Sequence, residues 1–115
     1  MKSKLRKDLF DNRITSIVSN DIYLLHKPED KKVDTYLEYE IIRKTYDGYC
    51  GNNNLTEDYV IQVDIFSKGN YSKLEKIIEE VLKEKDYRFL QSMDMFEEDT
   101  KIYHCGMRFN YKKFN

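Results

Sequence analysis

The chain has 115 residues, enough for one domain with a modest hydrophobic core. Its 20 basic and 21 acidic side chains leave a net charge of −1, which argues against a dedicated nucleic-acid binder, because that class carries a basic excess on one face. A composition of 40% hydrophobic and 36% charged residues is polar but not that of a disordered chain, since ten Tyr and six Phe supply large apolar surfaces. Tyr combines an apolar body with a polar tip and suits sheet faces and protein interfaces. No run approaches the roughly 20 apolar residues of a membrane span, so no membrane partner is expected. The start of the chain lacks a signal-like apolar run, because Leu9-Phe10 is followed at once by Asp11-Asn12-Arg13. Synthesis in the cytoplasm is therefore expected, with Cys50 and Cys105 reduced.

In chain order, Ser3 to Ser19 reads as one helix, with Leu5, Leu9, Phe10, Ile14, Ile17 and Val18 on one side at spacings of three to five. Ile22 to Leu25 is a short strand, ended by a loop from His26 to Lys32 that holds the single proline, Pro28. Asp34 to Tyr46 reads as a strand with one wet face. The segment from Asp47 to Asp58, with Gly48, Gly51 and Asn52 to Asn54, is a loop rich in residues that tolerate positive φ. Tyr59 to Phe66 is a strand in which Tyr59, Ile61, Val63 and Ile65 share a face, so the loop is the tip of a long hairpin.

Ser67 to Asn70 turns the chain into an amphipathic helix over about 71–85, with Leu74, Ile77, Ile78, Val81 and Leu82 as its apolar stripe. Ser72 with Glu75 forms a possible capping box, and Asn70 is a rival cap. Tyr87 to Met95 and Ile102 to Tyr111 form a last hairpin. Tyr103, Cys105, Met107 and Phe109 alternate with His104, Gly106, Arg108 and Asn110, the pattern of a half-buried antiparallel strand. The order predicts one α+β domain over 1–115: a mostly antiparallel sheet of four to five strands, with an N-terminal helix and the central helix packed on one face.

Chemistry is sparse. His26 and His104 stand isolated, without Cys, Asp or Glu at metal-ligand spacing. Cys105 reads as a buried structural thiol. Cys50 sits in a loop with no recognisable base, so it is not read as a nucleophile. Glu97, Glu98 and Asp99 are consecutive acids on a turn, unlike the spaced ligands of a calcium loop, and read as a solvated or docking tip. The Asp47 to Glu57 loop matches neither an EF-hand nor a phosphate-binding loop. No catalytic, cofactor-binding or metal residues are assigned, and no enzyme activity is expected.

The run from Tyr59 to Tyr71, the helix after it and the segment Asp94 to His104 together resemble the small tail-completion proteins of tailed bacteriophages. These are also called tail terminators or head–tail joining proteins, and occur in prophages and phage-tail-like particles of Gram-positive bacteria. The resemblance covers the second half of the chain; the N-terminal helix fits the layout without a distinctive motif, and the charged segment around Pro28 departs from some members. It implies a structural α+β protein of the virion tail or tail-like particle, made in the bacterial host cytoplasm. Such a protein caps the tail tube as a ring of identical copies, generally a hexamer, and offers its other side to the neck or head connector. It implies no enzymatic activity, no cofactor and no sequence-specific nucleic acid, and transfers no site residues.

Two sets of residues are expected at protein interfaces. Asp47, Tyr49, Asn52, Asn53 and Asn54, at the tip of the long hairpin, face a ring neighbour or the tube. Glu97, Glu98 and Asp99 face a basic partner surface. The rival reading is a small intracellular, non-enzymatic binding module that pairs through its sheet edge.

Overall fold

The computed structural model describes residues 1–47, the side chain of Asp47 excepted, and 56–114. The elements run α1 (Lys2–Leu9), α2 (Asn12–Val18), β1 (Ile22–Leu24), β2 (Thr35–Asp47), β3 (Thr56–Ser67), α3 (Ser72–Glu84), β4 (Arg88–Glu97) and β5 (Ile102–Phe114). The α+β class holds, with helices on one face of a five-stranded sheet ordered β1-β2-β3-β5-β4. All neighbours are antiparallel except β1, which runs parallel to β2.

The single N-terminal helix expected from Ser3 to Ser19 is instead two. Leu5 and Leu9 are one turn apart, as are Ile14 and Val18, but five residues separate Leu9 from Ile14. In an unbroken helix that step would turn Ile14 about 140° from Leu9 and set the second pair on the opposite side from the first. A break at Phe10-Asp11 resets the phase, and all four side chains are buried. Asp11 makes the break by capping α2: its backbone is extended (φ −60°, ψ 141°) and its Oδ1 accepts from the Arg13 amide at 2.9 Å.

At the start of α3, Asn70 prevails over the Ser72–Glu75 box. The Ser72 amide donates to Asn70 Oδ1 at 2.8 Å, whereas the N-cap position itself, Tyr71, makes no side-chain cap. The helix buries Leu74, Ile78, Val81 and Leu82. They meet Tyr59, Ile61, Val63 and Ile65 of β3 and Cys105, Met107 and Phe109 of β5 in one cluster, completed by the buried residues of α1, α2 and β2. Fully burying one such aliphatic side chain contributes about 1.5–3 kcal/mol, so this contact is the main source of cohesion.

Polar contacts then pin the helices. Asp8, only 7% exposed, receives Lys4 Nζ at 2.6 Å and the Tyr87 hydroxyl at 2.9 Å. Lys4 Nζ also lies 4.5 Å and 4.4 Å from the ring centroids of Tyr87 and Tyr111. This ties α1 to the junction of α3 and β4. Burial, reinforced by the hydrogen bond to Asp8, pushes the Tyr87 phenol far above its usual pKa, so it stays a donor. Farther out, the Arg13 guanidinium grips Glu84 at 2.8 and 2.9 Å and Asp11 at 3.0 and 3.1 Å, joining the start of α2 to the end of α3. The Arg13 hydrogen bonds hold both carboxyls below their ordinary pKa values.

Two predictions follow from these ties. Tyr87→Phe removes one donor and should cost about 1 kcal/mol, while Asp8→Ala strands Lys4 and Tyr87 and should cost about 2–3 kcal/mol, both read from urea unfolding. Arg13→Ala should lower the melting temperature near neutrality by a small amount, because the pair is exposed. Asp11 and Glu84 have depressed folded-state pKa values, so their contribution is complete above the ordinary values of 3.8 and 4.5 and disappears as pH falls through the lowered ones. The gap between wild type and Arg13→Ala should therefore begin to narrow in melting curves as pH falls below 4.5 and close only below the lowered values.

Candidate assembly surface

The strand period of two puts alternate side chains on the face away from the helices. Tyr36, Phe66 and His104 occupy neighbouring positions on β2, β3 and β5, and Met95 of β4 extends their row. Tyr36 stacks on Phe66 at 4.9 Å and Phe66 on His104 at 4.2 Å between centroids, with Tyr23 of β1 edge-on to Tyr36 at 6.4 Å. An aromatic band thus crosses the open face from one side of the sheet to the other. His104, isolated in the sequence, is half-buried in this band.

Next to the band, Glu38 and Asp64 face each other across β2 and β3, each 8% exposed. Asp64 Oδ1 lies 3.0 Å from His104 Nε2 and accepts from Gln62 Nε2 at 2.8 Å. Gly106, opposite Asp64, leaves room for this: a Cβ there would sit 3.1 Å from Asp64 Oδ1. Glu38 Oε2 accepts from the Lys27 amide at 2.8 Å and lies 3.4 Å from His26 Nδ1, which fastens the β1–β2 loop to the face. Both carboxylates have hydrogen-bond partners and only 11% of either side chain is exposed, which suits a structural role.

On the helix side the fold makes a cluster that the sequence reading missed. Cys105 Sγ donates to Glu75 Oε2 at 3.1 Å, the Tyr71 hydroxyl donates to Asp94 Oδ1 at 2.6 Å, and ligand atoms of Glu75, Asp94 and Cys105 lie within 4.8 Å of one another. These three are the residues that could hold a metal ion among those described. Burial, then the Glu75 carboxylate, pushes the Cys105 thiol far above its usual pKa. Burial, then Asp94, does the same to Tyr71. Cys105 and Tyr71 therefore keep their protons in the hydrogen bonds to Glu75 and Asp94. The signal available in the sequence was Glu75, which directly follows Leu74 in the buried stripe.

Of the expected interface residues that the structure describes, Asp47 and the acidic turn from Glu97 to Asp99 fall at opposite ends of a molecule measuring 53 × 28 × 25 Å. Asp47 ends β2 and pairs with Thr56, while Tyr49, Asn52, Asn53 and Asn54, and Cys50 with them, lie outside the described residues. Glu97 ends β4, and Glu98 and Asp99 form the exposed β4–β5 turn, where Lys101 Nζ approaches Glu98 at 3.5 Å and Thr100 donates to Glu97 at 3.1 Å. Asp47 and the acidic turn are not brought together. Beside the second tip runs the β4 edge, exposed at all ten residues, with Met93 at 56%. This edge and the aromatic face were not singled out by residue in the sequence.

No family model and no curated protein matches the chain. Among solved structures it is similar to a chain from the virion of a native gene transfer agent particle, with a TM-score of 0.69 at 11% identity, covering 95% of this chain and 90% of that one. That likeness shows a shared fold over nearly the whole length.

Phe66 joins the two halves of the aromatic band, so Phe66→Ala should cost about 1–2 kcal/mol in chemical denaturation, less than truncation of a fully buried Phe.

Proposed function

We propose that this chain is a tail-completion protein: a non-enzymatic structural subunit of a phage or phage-tail-like particle that caps the tail tube as a ring and offers a joining surface to the neck or head connector. The observation that carries the reading is the fold likeness to a chain of a virion particle, spanning 95% of this chain. The resemblance of the Tyr59–Tyr71 and Asp94–His104 segments to phage tail-completion proteins supports it independently.

The geometry fits a subunit that must touch different partners along one axis. The Asp47–Thr56 end of the β2–β3 pair and the acidic β4–β5 turn lie at opposite ends of the strands. One end is suited to the tube or a ring neighbour, and the other to a basic surface on the joining side. A ring repeats one heterologous contact until rotation closes it. The ring is taken to be a hexamer, located in the tail after synthesis in the host cytoplasm. The alternative, a small binding module that pairs through its sheet edge, draws on the exposed β4 strand.

The deciding experiment is electron microscopy of particles from a strain lacking the gene. Overlong or unjoined tails are expected, and normal joined tails would refute the assignment. Within the wild-type background, deletion of 50–54 should leave folding intact and abolish capping. Charge reversal at Glu97, Glu98 and Asp99 should weaken joining in a salt-dependent manner, and joining that ignores salt would count against the acidic tip as a docking element.

A further inference from the structure

We propose that the outer edge of β4 pairs with the same edge of a second copy of this chain, giving a two-fold dimer in register about Met93. The proposal concerns the free chain and does not depend on the tail reading. β4 closes the sheet, so among the described residues no strand lies beside its outward backbone groups. Exposed edges are usually short, broken by Pro or lined with Lys. β4 is ten residues long and contains neither residue, while Phe89, Leu90, Met93, Met95 and Phe96 are 39–56% exposed. A single bulge at Leu90 interrupts its pairing with β5.

The partner follows from pairing the strand antiparallel with itself. Residues opposite one another must lie on the same face of the sheet. With Met93 at the dyad, Gln91 faces Met95 of the second copy and Ser92 faces Asp94. Beyond the bulge, Phe89 faces Phe96 and Arg88 faces Glu97. Symmetry repeats each of these pairs, so the edge offers two Arg–Glu pairs, two aromatic pairs and two Ser–Asp pairs, with no like charges opposed.

Neighbouring registers lose this match. A dyad at Asp94 sets two carboxylates against each other, and one at Ser92 sets Phe89 against Asp94 and leaves Glu97 unmatched. The other free edge of the sheet, β2 beyond its pairing with β1, fits worse. Arg43, Val60, Asn110 and Arg88 form one rung across the sheet, so copies placed side by side with strands level would bring Arg88 against Arg43. Charge complementarity thus selects the β4 edge of an identical chain. The dyad also leaves both hairpin tips at the strand ends uncovered.

Sedimentation equilibrium on the full chain should give twice 14.0 kDa. Arg88→Glu should weaken the dimer roughly 10- to 100-fold, by turning two attractive pairs into repulsive ones. The swap Arg88→Glu with Glu97→Arg should restore it to near the wild-type value. Met93→Cys in a Cys50→Ser background should cross-link to itself on mild oxidation, since opposed Cβ atoms lie about 4.5–5.5 Å apart and Cys105 is buried. All these positions apart from Cys50 are exposed strand residues, and circular dichroism checks that the fold is kept. A chain that remains monomeric up to about 1 mM, the range of the weakest specific contacts, overturns the proposal. So does a dimer indifferent to Arg88→Glu, or one that the swap fails to restore.

Discussion

The architecture rests on one contact, the seating of the α3 stripe on β3 and β5. Leu74, Ile78, Val81 and Leu82 cover Ile61, Val63, Cys105 and Met107, and all eight are buried. A sheet covered on one side only must leave the other side to water or to a partner. Because the covering helices sit over the central strands, β4 projects past them with every residue exposed. The open face and the open edge are both consequences of where α3 lies.

The two edges of the sheet are handled differently. On one side β1 is cut to three residues and its loop folds back, held by Glu38. That side is blunted in the way soluble sheets usually are. On the other side β4 keeps its full length, with Arg88 and Glu97 at its two ends and Asp94 as the single charge between them. Terminal charges of opposite sign favour pairing in a defined register, and the inner carboxylate rules out the register that would set it against its own copy.

Legibility in the sequence varied with the range of the interaction. The α3 stripe and the alternations at Tyr59–Ile65 and Tyr103–Phe109 are local periodicities, and the structure reproduces them except at Tyr103, which is 43% exposed, and at Ile77, which is only half-buried. The break at Phe10-Asp11 was also written locally, in the five-residue step from Leu9 to Ile14 and in an Asp two residues before Arg13, but one long helix absorbed both. The parallel placement of β1 was not legible, because a three-residue strand carries no mark of which neighbour it will join. The same holds for the open face. His104 is recognisable as lying opposite Cys105 in the strand alternation, yet its stack on Phe66 and its contact with Asp64 depend on the β3–β5 register, which no local pattern records. The acidic turn was legible as exposed, while most of the other expected interface set falls outside the described residues.

The chemistry of the open face bears on what kind of function it serves. Covering a surface with a partner costs most where a charge must be stripped of water and left unpaired. Here Glu38 and Asp64 are already shielded and bonded within the monomer, by Lys27 and by Gln62 and His104. Arg108 donates to Gln62 and Asn110 to Asp58, so much of the remaining polar surface is also internally matched. Tyr36, Phe66 and Met95 supply apolar area between these closed pairs. A partner laid on the face gains that area and strands few charges, which is the energetic profile of an assembly surface.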